Sequence, residues 1–80
     1  MTMNINAAQA IANAVMYYDR EISREIIHAV EYYKSYQSQH SQKRLTDAVN
    51  AAVRCAERTY GFRNIKLVQD NLVKLTEVAA

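Results

Sequence analysis

The fold is decided by residues 11–33, which read IANAVMYYDREISREIIHAVEYY. In and just after this stretch, apolar side chains recur at steps of three and four: Ile11, Val15, Tyr18, Ile22, Ile26, Ala29, Tyr33 and Tyr36. That spacing places them on one face of an α-helix. We therefore predict one long helix over about residues 6–36, with Asn6 as its N-cap and Gln9 completing a capping box.

The alternative is a break in this helix near residues 19–23, where Asp19 or Ser23 caps a second helix. The unbroken apolar spacing favours the continuous helix. Around Ile26, Ile27 and Val30 the apolar stripe widens, which predicts that more than one neighbouring helix packs there.

The composition is that of an all-α protein. The 80 residues include one glycine and no proline, so the chain has few of the residues that form the tight turns of a multi-stranded sheet. Half of the residues are hydrophobic, too many for a disordered chain. We predict a single helical domain over residues 1–80, a three-helix bundle in which a helical hairpin folds against the long N-terminal helix.

The first helix of the hairpin, helix 2, is expected over about residues 42–60, with Ser41 as its N-cap. Its predicted inner face consists of Leu45, Val49, Ala52, Ala56 and Tyr60. Gly61 is expected to end it in a left-handed conformation, with Phe62 as the accompanying hydrophobic contact.

Helix 3 is expected over about residues 64–79, with Asn64 as its N-cap. Its predicted inner face consists of Ile65, Val68, Leu72, Leu75 and Val78. Leu67 and Val73 fall outside this face, so either helix 3 is nearly surrounded or its second side meets another subunit. This surplus of apolar residues favours a homodimer.

No residue pattern indicates catalysis, a metal site or a cofactor. Glu25 and His28 have the spacing found in di-iron bundles, but the sequence holds no second copy of the pair. The lone cysteine, Cys55, excludes an internal disulfide and fits a reducing cytoplasm. The uncharged stretch at residues 1–18 carries several amides and does not suit a membrane span. We expect a cytoplasmic protein that is not an enzyme.

Tyrosine is abundant, with six residues in the chain. Tyr17 and Tyr32 fall to the side of the apolar stripe and are harder to bury than Tyr18, Tyr33 and Tyr36. Tyrosine is enriched at interface hot spots. Tyr17 and Tyr32 are therefore candidate partner-binding residues, with an equal alternative that they only shield a small core.

The middle third of the chain is basic, and four of its cations are further candidate partner-binding residues: Arg54, Arg58, Arg63 and Lys66. Residues 45–75 resemble a helix-turn-helix DNA reader in having a helix, a short glycine-containing turn and a second helix. That resemblance implies nucleic-acid binding. It departs from the motif at Glu57, which stands four residues before the turn glycine in place of a small residue. A net charge of +2 is also small for a DNA binder, so a solvated face is the favoured interpretation.

These observations favour a non-catalytic protein-binding module that regulates or inhibits a larger intracellular protein. Small proteins of this kind are common in bacteriophages and other mobile elements, and we expect such an origin. One alternative is a small helix-turn-helix-like nucleic-acid-binding regulator. A second alternative is a self-associating structural helix bundle.

Overall fold

The computed structural model describes residues 3–76, which form four helices and, within that range, no strand. The helices are α1 (Ile5–Val15), α2 (Arg20–Ser35), α3 (Gln39–Arg58) and α4 (Ile65–Lys74). The predicted all-α class is confirmed. The predicted single N-terminal helix is wrong, because that part of the chain forms both α1 and α2.

The break between α1 and α2 lies at Asp19, where the backbone is extended, with φ −154° and ψ 101°. The Asp19 carboxylate accepts hydrogen bonds from the backbone N–H groups of Glu21 and Ile22, at 3.1 and 3.2 Å. It therefore caps α2, as the alternative interpretation proposed. The break takes up residues 16–19, about as many residues as one helical turn. The apolar spacing therefore continues across the break and conceals it.

Ser23 does not cap a helix. It is buried, and its hydroxyl donates to the backbone oxygen of Ala12 in α1 at 2.8 Å. This hydrogen bond joins the two helices just beyond the break and helps to set the angle between them.

Two predicted N-caps are displaced toward the N-terminus. Asn4, not Asn6, caps α1, and its side chain accepts from the N–H of Ala7 at 3.1 Å. Ser38, not Ser41, caps α3, and Ser41 completes a reciprocal capping box with it. The serine pair satisfies two helix-end donors at once, which explains why α3 begins three residues earlier than expected.

The ends of α3 and α4 match the prediction in part. Gly61 has φ +76°, the left-handed conformation expected of it, and Phe62 is buried. However, α3 ends at Arg58, so Tyr60 lies beyond the helix and is fully exposed instead of lining the core. Asn64 occupies the N-cap position of α4 but makes no side-chain capping bond.

The hydrophobic core lies where α1 packs against α2, α3 and α4. The inner face predicted for the first hairpin helix is buried at Leu45, Val49, Ala52 and Ala56. Tyr33 is also buried, and its hydroxyl accepts from the N–H of Met3 at 3.0 Å. Of the last predicted helix, Val68 and Leu75 are buried and Ile65 and Leu72 are partly buried, whereas Val78 lies outside the described residues.

Several apolar side chains expected in the core are instead at the surface. Tyr36 is 66% exposed because α2 ends at Ser35. Ile27 is 43% exposed, so this residue of the predicted broad apolar face is not part of the core. Tyr18, predicted on the core stripe, is 42% exposed because it lies in the break between α1 and α2. Leu67 and Val73, predicted to lie outside the inner face of the last helix, are exposed on α4.

Candidate protein-binding surface

The break between α1 and α2 leaves large side chains at the surface. Val15 and Ser23 face the core from the two sides of the break. Met16 and Tyr17, between them, are therefore directed outward, and the Tyr17 side chain is 86% exposed.

Two adjacent hollows meet at Tyr17. The first, of about 410 Å³, is lined by Met16, Tyr17, Arg20, Ser23, Arg24 and Ile27. The second, of about 510 Å³, is lined by Asn13, Ala14, Tyr17, Tyr18, Arg63 and Asn64. We call the two hollows together, with Tyr17 between them, the elbow surface.

The second hollow is held in place by an aromatic contact across the chain. The ring of Tyr18 packs on that of Phe62 at a centroid distance of 4.4 Å. The Tyr18 hydroxyl accepts a long hydrogen bond from the backbone N–H of Arg63, at 3.4 Å. These contacts bring the segment before α4 to the α1–α2 break, and so place Arg63 beside Tyr17.

The charge of the elbow surface is of one sign. The described residues that line the two hollows include three arginines, Arg20, Arg24 and Arg63, and no carboxylate. Within residues 3–76, none of these arginines forms an ion pair. The carboxylate of nearby Asp19 is occupied in capping α2.

Two of these arginines are placed against the electrostatic preference of their helix. Arg20 is the first residue of α2, where the helix dipole disfavours a cation. Arg24 lies four residues later, a spacing at which like charges repel on a helix. Glu21 lies three residues before Arg24, a spacing at which opposite charges attract, and it offsets part of this repulsion.

Tyr32 lies in a separate cluster near the other end of α2. Its ring is 6.0 Å from that of Tyr36 and 5.9 Å from that of His40, and the guanidinium carbon of Arg44 is 5.2 Å from its centroid. The partly buried Tyr32 is thus surrounded by its own neighbours. Of the two predicted tyrosines, Tyr17 and Tyr32 therefore lie in separate places, because most of α2 separates them.

A third hollow, of about 480 Å³, lies between α2 and α3 beside this cluster. Its floor is apolar, and its rim carries both signs of charge, including Glu25, Arg44 and an exposed Lys43–Asp47 ion pair with an N–O distance of 2.9 Å. The mixed rim gives it no clear preference for a charged ligand.

The remaining predicted basic residues do not line the elbow surface. Arg54 and Arg58 lie one turn apart on the exposed side of α3, where the Arg58 Nε donates to the backbone oxygen of Arg54 at 3.3 Å. Lys66 is exposed near the start of α4. Of the six predicted partner-binding residues, the two hollows include Tyr17 and Arg63.

Sequence reasoning missed Met16, Arg20, Arg24 and Ile27, which line the first hollow. A signal was present in the sequence. Asp19 is a strong N-cap residue, and the arginine directly after it lies where the helix dipole disfavours a cation.

Other side chains of types that can act in catalysis or metal binding do not cluster in one site among the described residues. Glu25 and His28 are exposed, and Cys55 is partly buried as a free thiol. Within the described part of the chain, no three His, Cys, Asp or Glu side chains lie close enough to hold a metal ion. None of the helices in that part is both long and apolar enough to cross a bilayer.

Comparison with protein families, curated proteins and solved structures finds no match to this chain.

Proposed function

We propose that this protein is a non-catalytic protein-binding module, which regulates or inhibits a larger partner by binding it at the elbow surface. The observation that carries the proposal is Tyr17, a large aromatic side chain that is 86% exposed between two hollows. Tyrosine and arginine are the residues most enriched at binding hot spots, alongside tryptophan.

The composition of the elbow surface supports a protein partner. Met16 and Ile27 add exposed apolar area beside Tyr17, and burial of apolar area stabilises a complex by roughly 25 cal/mol per Å² before the costs of association. Arg20 and Arg24 line the same hollow as these apolar side chains, and Arg63 lines the adjacent one. An apolar centre with a charged rim is the usual arrangement of a protein interface.

The nucleic-acid alternative has weaker support. The connection between α3 and α4, residues 59–64, is longer than the roughly three- to four-residue turn of a helix-turn-helix motif. Arg54 and Arg58 lie on α3 and line neither hollow of the elbow surface. Phosphate recognition would require these separated cations to act together.

A symmetric dimer through the elbow surface is also disfavoured. In a two-fold interface the same patch of both copies is buried, so the three arginines of each copy would be brought into one interface of like charge. A homodimer formed through a different face, such as exposed Leu67 and Val73 on α4, does not conflict with the proposed function.

The proposal is tested by affinity capture from a lysate of the native host with three forms of the full chain: wild type, Tyr17→Ser and Tyr36→Ser. Tyr36 is a matched control, because it is also exposed and lies at the opposite end of α2. We expect a stoichiometric protein that is retained by wild type and Tyr36→Ser and lost with Tyr17→Ser. Nuclease treatment should not change the result. Equal retention by all three forms would count against the elbow surface.

A further inference from the structure

We propose that the elbow surface recognises an acidic segment of its partner, in which at least two Asp or Glu side chains flank a large apolar one. This inference rests on the proposed function and specifies the chemistry of the partner. Its basis is a set of three arginines that form no ion pair within residues 3–76 and that line two adjacent hollows with exposed apolar side chains.

The positive charge of the elbow surface favours an acidic ligand. The lining of the two hollows has three guanidinium groups and no carboxylate among the described residues. The acids nearest in sequence do not line either hollow. Asp19 caps α2 through its Oδ1, Glu21 is exposed in the first turn of α2, and Glu25 lines the separate hollow between α2 and α3. An acidic segment would supply the missing partners, and arginine pairs with carboxylates through two parallel hydrogen bonds.

The spacing of Arg20 and Arg24 suits a ligand with two carboxylates. Arg20 and Arg24 are four residues apart on α2, so their backbone positions are separated by about 6 Å along the helix axis. Carboxylates at positions i and i+4 of a helix have the same separation, and those at i and i+2 of an extended strand are about 6.7 Å apart. A short acidic segment can therefore meet both arginines at once.

The apolar side chains of the elbow surface favour a peptide over a nucleic acid as its ligand. Met16 and Ile27 line the first hollow and Ala14 lines the second. Such side chains suit an apolar anchor residue of a peptide, whereas single-stranded nucleic acids are bound by stacking on aromatic rings along a basic groove. Tyr17 and three cations would provide few phosphate contacts compared with the roughly 6–10 of a typical DNA binder.

The test uses a displayed library of random 12-residue peptides, selected on the immobilised full chain. The best peptide is then synthesised with a fluorophore, and its affinity is measured by anisotropy for wild type, Arg24→Glu and Arg54→Glu. Arg54 is the matched control, because it is an exposed arginine in a helix interior and lies outside both hollows. Circular dichroism confirms that each variant is folded.

We expect the selected peptides to be rich in Asp and Glu around an aromatic or aliphatic residue. Arg24→Glu should weaken the best peptide by roughly tenfold or more, since it removes one charged partner and adds repulsion. Arg54→Glu should change the affinity by less than about twofold, apart from a general charge effect that salt screens.

Several results would overturn the inference. These are selection of neutral or basic peptides, no selected peptide at all, or an equal loss of affinity with both variants. A fourth is binding of a labelled single-stranded or duplex 20-mer that is lost with Arg24→Glu. Tyr17-dependent capture of a protein partner, combined with neutral or basic peptides, would retain the proposed function and reject only the acidic segment.

Discussion

At the scale of single residues, Arg20 shows a conflict between stability and placement. It begins α2 beside the positive end of the helix dipole, and Arg24 follows one turn later with no ion-pair partner within residues 3–76. Each effect costs a few tenths of a kcal/mol. Residues that reduce stability at the surface are expected where binding requires them.

We therefore predict that Arg20→Glu stabilises the protein while it weakens binding of the partner. A glutamate at this position is favoured by the helix dipole and can pair with Arg24 in the better of the two orientations. The free energy of unfolding should rise by about 0.5–1 kcal/mol. Urea unfolding followed by circular dichroism measures this change, and a clear loss of stability would show that Arg20 has a structural role.

Two adjacent isoleucines should respond in opposite ways to aspartate. Ile26 is fully buried in the core and Ile27 is 43% exposed in the first hollow. Ile26→Asp should unfold the protein, because it buries an unpaired charge. Ile27→Asp should stay folded and lose partner binding. Far-ultraviolet circular dichroism with thermal melting distinguishes the two outcomes, and folding of both variants would mean that the assignment of the core face is wrong.

Buried positions were predictable wherever a helix continued through them. Val49, like Ile26, is fully buried as expected, and Val49→Asp should also unfold the chain. Leu72 was predicted on the inner face of the last helix but is only partly buried, so Leu72→Asp should have a smaller effect. Tyr36 and Tyr60 were misplaced because each lies just beyond a helix end, where periodicity no longer determines burial.

At the scale of the helices, the break at Asp19 creates the elbow surface. Periodicity alone could not reveal it, because residues 16–19 take up about one turn of sequence and the core positions keep their spacing. The better indicator was local: Asp19 is a strong capping residue, and its carboxylate accepts two backbone hydrogen bonds. Capping chemistry therefore outweighed the continuous apolar pattern.

The N-cap residues of α2 and α4 provide a matched prediction. Asp19→Ala should lower the free energy of unfolding by about 1 kcal/mol, because two helix N–H groups lose their acceptor. Asn64→Ala should have little effect, because Asn64 makes no side-chain capping bond. Thermal melting compares the two, with about 4–8 °C expected per kcal/mol in a domain of this size. Equal destabilisation would contradict the assigned caps.

At the scale of the whole molecule, the described residues share one core centred on α1. Buried side-chain polar atoms within residues 3–76 all have hydrogen-bond partners. Three separate segments, the end of α1, the start of α2 and the loop before α4, contribute to the elbow surface. No sequence pattern within one segment could have shown that Tyr17 and Arg63 meet, because the Tyr18–Phe62 contact depends on the tertiary fold.

Self-association is tested at the same scale by sedimentation equilibrium. A single chain has a mass of 9.2 kDa. We predict that Tyr17→Ser leaves the measured mass unchanged, because a symmetric contact at the elbow surface would oppose like charges. A wild-type dimer that dissociates on this substitution would mean that the elbow surface binds a second copy of the chain.

The most direct measurement is site-specific photocrosslinking in the native host, with benzoylphenylalanine in place of Tyr17 or, as the control, of Tyr36. We expect one dominant cross-linked protein from position 17 and little or none from position 36. Arg24→Glu should reduce the yield at position 17. Cross-links of equal yield from both positions, or none from position 17, would contradict the claim that this protein acts by binding a partner at the elbow surface.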